Sequence, residues 1–149
     1  MRSAKPAYAP QALAFEIACA LDQVRPAGRR LRAFLVRSGC SEGEVMDCEL
    51  ALVEACNNAV KYARPEAQEA PVLVQVICEV RHIDLRVTDH TAGLEWPGEA
   101  ALPQAEAERG RGIYLIKTLM DGSEYLRFGD RNVLVLRKLR RGCKIDDRE

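Results

Sequence analysis

Apolar residues along the chain alternate between two spacings, and each spacing predicts a kind of element. Leu13 to Ala20 is a short apolar run that reads as a strand. Pro26 suits the first turn of a helix, and Leu31, Phe34 and Leu35 continue at helical spacing until Ser38-Gly39 stops it. Ser41-x-x-Glu44 has the form of a capping box and opens the next helix. There Val45, Cys48, Leu52, Ala55, Ala59 and Tyr62 step by three and four, which marks one buried stripe. Met46, Leu50, Val53 and Val60 widen that stripe and predict a helix packed on more than one side, ending before Pro65.

Val72 to Val80 and Ile83 to Asp89 read as two strands of a hairpin. From His90 to Arg109 the pattern dissolves into a segment with Gly93, Pro97, Gly98 and Pro103, and a loop of that length inside a domain suggests a lid. Gly110-Arg-Gly112 ends it and precedes an amphipathic helix through Ile113, Leu115, Ile116, Leu119 and Met120. Ser123 to Phe128 and Asn132 to Leu139 close a second hairpin over Gly129-Asp130. The predicted organisation is a flexible start (1–11), one domain (12–140, lid about 90–109) and a charged tail (141–149).

Composition narrows the choice of chemistry. The chain has 149 residues, 48% of them hydrophobic, enough for an ordinary core. Its 22 basic and 22 acidic side chains cancel, which argues against a general nucleic-acid or anionic-membrane binder. Without an apolar run long enough for a span, or an apolar core near its N-terminus, the chain reads as cytoplasmic. The six cysteines are scattered with no C-x-x-C pair, so they read as reduced packing residues rather than zinc ligands.

Three short patterns carry possible chemistry. Glu54 and Asn58 are four residues apart and share one helix face. The amide can offer oxygen to Mg²⁺ while the acid orients or deprotonates a nucleophile; taken alone, the pair is more simply a solvated helix face. Asp89 ends a strand and can accept a hydrogen bond from an exocyclic amine such as adenine's, or it can be a turn aspartate. Gly110 and Gly112 lie before a helix whose N-terminus could meet phosphates, or they cap a loop.

Taken in order, these pieces resemble the GHKL ATPase superfamily, and within it the anti-sigma factor serine/threonine kinases. Glu54-Ala-Cys-Asn-Asn58-Ala-Val-Lys-Tyr-Ala63 is similar to their N box, and Asp89-His-Thr-Ala-Gly93 falls where their D-x-G-x-G box lies. Glu108 to Asp121 is close to their second glycine box. The resemblance spans about residues 12 to 139. It implies an α+β fold, a two-layer sandwich of the Bergerat type with a mixed sheet, holding ATP and Mg²⁺ under a lid.

By position, the resemblance makes Asn58 the magnesium ligand, Glu54 the general base and Asp89 the reader of the adenine amine. Gly93 falls on the adenine side, and Gly110 and Gly112 on the phosphate side. Arg109 and Arg111 flank those glycines, where they reach phosphate or partner or stay solvated. Three positions depart from the family: Thr91 stands where it has glycine, Tyr62 where it has histidine, and Asn132 where it commonly has threonine. A threonine at positive φ would be an outlier, so either the loop takes another path or nucleotide affinity falls. The implied function is a kinase that phosphorylates a STAS-domain anti-anti-sigma protein, with a sigma factor or other target competing for it and a homodimer expected. A non-catalytic partner-binding module is the alternative. A histidine-kinase catalytic domain is a third reading, without a dimerisation helix carrying a phospho-acceptor histidine to support it.

Overall fold

The structure, a computed structural model, describes residues 9–63, 65, 68–91 and 108–141, with backbone alone at 108 and 109. Its described elements run β1 (Gln11–Ile17), α1 (Val24–Arg37), α2 (Glu42–Lys61), β2 (Val72–Cys78), β3 (His82–Asp89), α3 (Glu108–Leu119), β4 (Gly122–Phe128) and β5 (Arg131–Leu139), with a short 3₁₀ turn before α1. The five strands form one sheet in the order β1-β2-β3-β5-β4. The α+β, two-layer expectation is met. All four strand pairs are antiparallel, however, so the sheet is not mixed as expected. The physical reason lies in the connections: β2–β3 and β4–β5 are hairpins, and the helices between β1 and β2 return the chain in the opposite sense.

Strand alternation sets which face is covered. Val72, Val74, Val76 and Cys78 of β2 and Ile83, Leu85 and Val87 of β3 are buried, while their sequence neighbours face outward. They meet Leu31 and Leu35 of α1 and Leu52, Ala55 and Ala59 of α2, and this interlayer contact is the core. The strand predicted to reach Ala20 stops at Ile17, because the Ala20 amide turns back onto the Ala18 carbonyl at 2.8 Å.

The capping box at α2 forms in both directions. The Ser41 hydroxyl accepts from the Glu44 amide at 3.2 Å, and the Glu44 carboxylate accepts from the Ser41 amide at 2.8 Å. The α2 stripe is buried at Val45, Cys48, Ala51, Leu52, Ala55, Cys56 and Ala59. The broader burial expected of this helix is met only in part: Val53 and Val60 pack on the core, whereas Met46 and Leu50 are exposed. They lie away from the sheet, and no described element covers that side.

Cys48, Cys56 and Cys78 are buried thiols outside any disulfide, as their apolar surroundings suggest, and burial pushes the Cys48 and Cys56 thiols up to about 12. Two cations tie the layers together. Lys138, on the inner face of β5, meets Asp47 of α2 at 2.8 Å and donates to the Leu119 carbonyl at the end of α3 at 2.7 Å. Arg140, just past β5, is buried and donates to the carbonyls of Glu79 and Gly39, with Glu44 at 3.8 Å.

Candidate functional site

The site begins with the rigidity of α2, whose cap and buried stripe fix both ends of the helix. Glu54 and Asn58 project from it toward α3, where Gly112 comes close. A methyl carbon at Gly112 would sit 3.0 Å from Glu54 Oε2, 3.7 Å from Asn58 Nδ2 and 3.9 Å from Asn58 Oδ1. The carboxylate and the carboxamide therefore converge on one spot that only a residue without a side chain leaves open. Around it lies a cleft of about 240 Å³ lined by Glu54, Asn57, Asn58, Lys61, Tyr62, Arg111, Gly112 and Leu115. A second cleft of about 640 Å³ opens on the other side of Glu54, between α2 and the start of α1, lined by Leu21, Asp22, Val24, Arg25 and Val53. Glu54, Asn57 and Lys61 line both.

Gly110 and Gly112 do not precede their helix as expected; both lie inside α3, which starts at Glu108. Gly110 is in the first turn, where backbone N–H groups have no intrahelical acceptor, and Gly112 is beyond it. Gly112 thus serves the cleft by lacking a Cβ rather than by offering a free donor. Arg111 lines the cleft and is exposed. The side chain of Arg109, together with Gly93 and most of the expected lid, lies outside the described residues.

Asp89 stands apart from this cleft, at the end of β3 and close enough to Cys56 of α2 to raise its thiol electrostatically. It is buried, and its Oδ1 accepts from the Thr91 amide at 3.0 Å and from Asn132 Nδ2 at 2.9 Å. Thr91 itself avoids the positive φ that a glycine at its position would permit. No described residue other than glycine has positive φ; Thr91 bridges to Ala63 beyond α2, and its side chain turns inward to Asn132.

Sequence reasoning did not assign Asn57, Lys61, Tyr62 or Leu115 to the cleft, nor Asn132 to the surroundings of Asp89. Asn57 is three residues after Glu54 and so shares its face, a signal that was available. Leu115 is indistinguishable from a core residue of α3 by spacing alone. Asn132 was noted only as a departure, yet it is fully buried beside Asp89.

The donor set at the convergence is hard oxygen, from the Asn58 carboxamide and the Glu54 carboxylate. This fits magnesium, which takes few protein ligands and keeps water and phosphate for the rest.

A two-layer fold with such a cleft between two helices defines a class of nucleotide-binding domain, and the chain's family places it there. Residues 17–138 match the histidine kinase-like ATPase domain, so the chain belongs to that family. It is 27% identical over 114 residues to the serine-protein kinase RsbW of Bacillus cereus (strain AH187), covering 70% of this chain and 71% of that protein. Among solved structures it is similar to the RsbU and RsbW domains of Rv1364c from Mycobacterium tuberculosis (TM-score 0.66, 15% identity, 87% of this chain). It spans only 32% of that longer chain. It is also similar to a chain of the SiaB–SiaC complex from Pseudomonas aeruginosa (TM-score 0.60, 19% identity, 85% of this chain and 88% of that one). None of the described helices is long and apolar enough to cross a membrane.

Proposed function

We propose that this protein is an ATP- and magnesium-dependent serine/threonine kinase of the anti-sigma type, acting on a STAS-domain antagonist protein in a partner switch. The observation that carries the reading is the position of Glu54 between two clefts. Phosphoryl transfer depends on holding donor and acceptor in line with charge neutralised. The α2–α3 cleft takes the triphosphate, and the cleft toward α1 gives an acceptor hydroxyl a path to the same carboxylate. Glu54 orients that hydroxyl and takes its proton. Asn58 offers its carboxamide oxygen to magnesium, which when bound neutralises phosphate charge. Arg111 adds positive charge at the rim, and Asp89 accepts from the amine of the base. The kinase relative supports the chemistry, and in the partner switch a sigma factor or other target competes for the kinase.

Glu54→Gln tests the assignment, since it keeps volume and helical preference while removing the base. With the antagonist co-purified and Mg-ATP added, intact mass of the antagonist should show transfer slowed by about 10²–10⁴-fold, with ATP binding retained. Transfer at the wild-type rate would refute the role of Glu54. A wild type that binds its antagonist and ATP but transfers nothing would identify a non-catalytic module.

A further inference from the structure

The fold brings together two thiols that the nucleotide reading does not use. Cys40 lies in the turn between α1 and α2 and Cys78 ends β2, 38 positions later, yet their sulfurs are 3.6 Å apart. Both backbones are held. The Cys40 amide donates to the Leu35 carbonyl at 3.1 Å, and Cys78 pairs in the sheet with Gln11 on one side and Ile83 on the other. The two thiols differ in access. Cys78 is 0% exposed, whereas Cys40 is half-buried and lines a cleft of about 470 Å³ with Arg32, Val36, Met46 and Glu49. Arg140 Nη1 donates to the Cys78 sulfur at 3.6 Å, so a guanidinium stands ready to stabilise negative charge there.

We propose that Cys40 and Cys78 are a redox modification site: hydrogen peroxide enters at Cys40, and a disulfide to Cys78 then staples the helix layer to the sheet. The Cys40 sulfur, once its proton has gone to solvent, attacks one peroxide oxygen. The O–O bond breaks, hydroxide leaves and Cys40 becomes a sulfenic acid. The Cys78 sulfur then attacks the Cys40 sulfur; the S–O bond breaks, the S–S bond forms, and the departing hydroxide takes the Cys78 proton as water. Overall two thiols lose two hydrogens and hydrogen peroxide becomes two waters. The sulfurs close by about 1.5 Å to reach bonding distance, with both backbones already in place. The hydrogen bond to Cys78, and burial after it, hold the Cys40 thiol above its ordinary value. The first step is therefore slow, and the pair responds to sustained oxidant rather than to a pulse. Small thiols reopen such a bridge by exchange in a reducing environment.

Treatment of the full chain with hydrogen peroxide, alkylation in urea and peptide mass mapping without reductant test this. The intact chain should lose two hydrogens, the linked peptides should be those of Cys40 and Cys78, and Cys48 and Cys56 should still alkylate. Oxidised protein should unfold at a higher urea midpoint than reduced protein, and dithiothreitol should return it to the reduced value. In Cys78→Ser the Cys40 sulfur lacks its resolving partner and should go on to sulfinic acid or link two chains. Mapping of the wild type decides the pairing even where that variant does not fold. A wild type that loses no hydrogens, bridges other cysteines, or carries Cys40 to sulfinic acid without a bridge overturns the proposal. A Cys40–Cys78 bridge that leaves the urea midpoint unchanged or lower overturns the stapling of the layers.

Discussion

Gly112 shows how little a single position can change while deciding the site. Alanine in its place gains helix propensity of about 1 kcal/mol, and the new methyl is tight only against the end of the Glu54 side chain, at 3.0 Å, with Asn58 at ordinary contact distance. Gly112→Ala should therefore be neutral or slightly stabilising in thermal unfolding. The carboxylate must still shift by a few tenths of an ångström, away from the spot it shares with Asn58. Transfer to the antagonist should fall, by about tenfold or more, with the fold untouched. Equal loss of stability and activity would mean that Gly112 is structural only.

The buried thiols make a second residue-scale prediction. Cys48 and Cys56, held up to about 12, stay protonated where an ordinary thiol near 9.0 has begun to ionise. At pH 8 their thiolate fraction is lower by about a thousandfold, so native protein should resist iodoacetamide at both positions until it is unfolded. The linkage has a definite sign. The unfolded chain loses these protons above about pH 9 and the folded one does not, so stability is unaffected below pH 9 and declines from there toward 12. Urea unfolding at pH 8 and pH 10 should show that decline, and it should be smaller in Cys56→Ala than in the wild type.

At the scale of elements, α2 is the most legible part of the chain and the part the site depends on. Its start was readable because Ser41 and Glu44 satisfy each other locally, and its buried face because one stripe repeats. Ser41→Ala removes one half of the box and should cost about 1 kcal/mol, seen as a lower urea midpoint with unchanged slope. What spacing could not reveal was context. Met46 and Leu50 have the hydrophobicity of core residues, and only the position of the sheet leaves them outside. Gly110 and Gly112 read as loop residues because glycine is poor in helices, yet both lie in α3, and at Gly112 the close approach of Glu54 leaves no room for a side chain. Asp89 and Asn132 are 43 residues apart in sequence, so their contact exists only once β3 and β5 pair. Antiparallel closure of the whole sheet was likewise invisible until strand neighbours were known.

At the scale of the molecule, Arg140 ties together places that the chain visits far apart. Its guanidinium bonds the Glu79 carbonyl in the β2–β3 turn and the Gly39 carbonyl between α1 and α2, beside the Glu44 carboxylate of the capping box. Sequence reading left it as the border of a frayed tail. Arg140→Ala takes the donor from two carbonyls and the opposite charge from beside Glu44, whose carboxylate keeps its bond from the Ser41 amide, and should lower stability by about 3 kcal/mol in denaturant unfolding. Arg140→Lys should recover only a fraction, because a single ammonium cannot span both carbonyls. A loss below about 0.5 kcal/mol, the range of an ordinary surface change, would show that the contact is incidental.

The strand order has a consequence for vectorial synthesis. β5 sits between β3 and β4, and β3 is bonded on that side by β5 alone. A nascent chain that has emerged only as far as α3 thus exposes the open edge of β3, with Ile83, Leu85 and Val87 on its apolar face. That edge offers unpaired backbone groups to any neighbouring polypeptide. Arrival of the last hairpin, turned by Gly129 at φ +65°, closes the edge and brings Asn132 to Asp89 in the same event. Closure of the exposed edge and formation of the buried Asp89–Asn132 contact are thereby one step, taken when β5 leaves the ribosome.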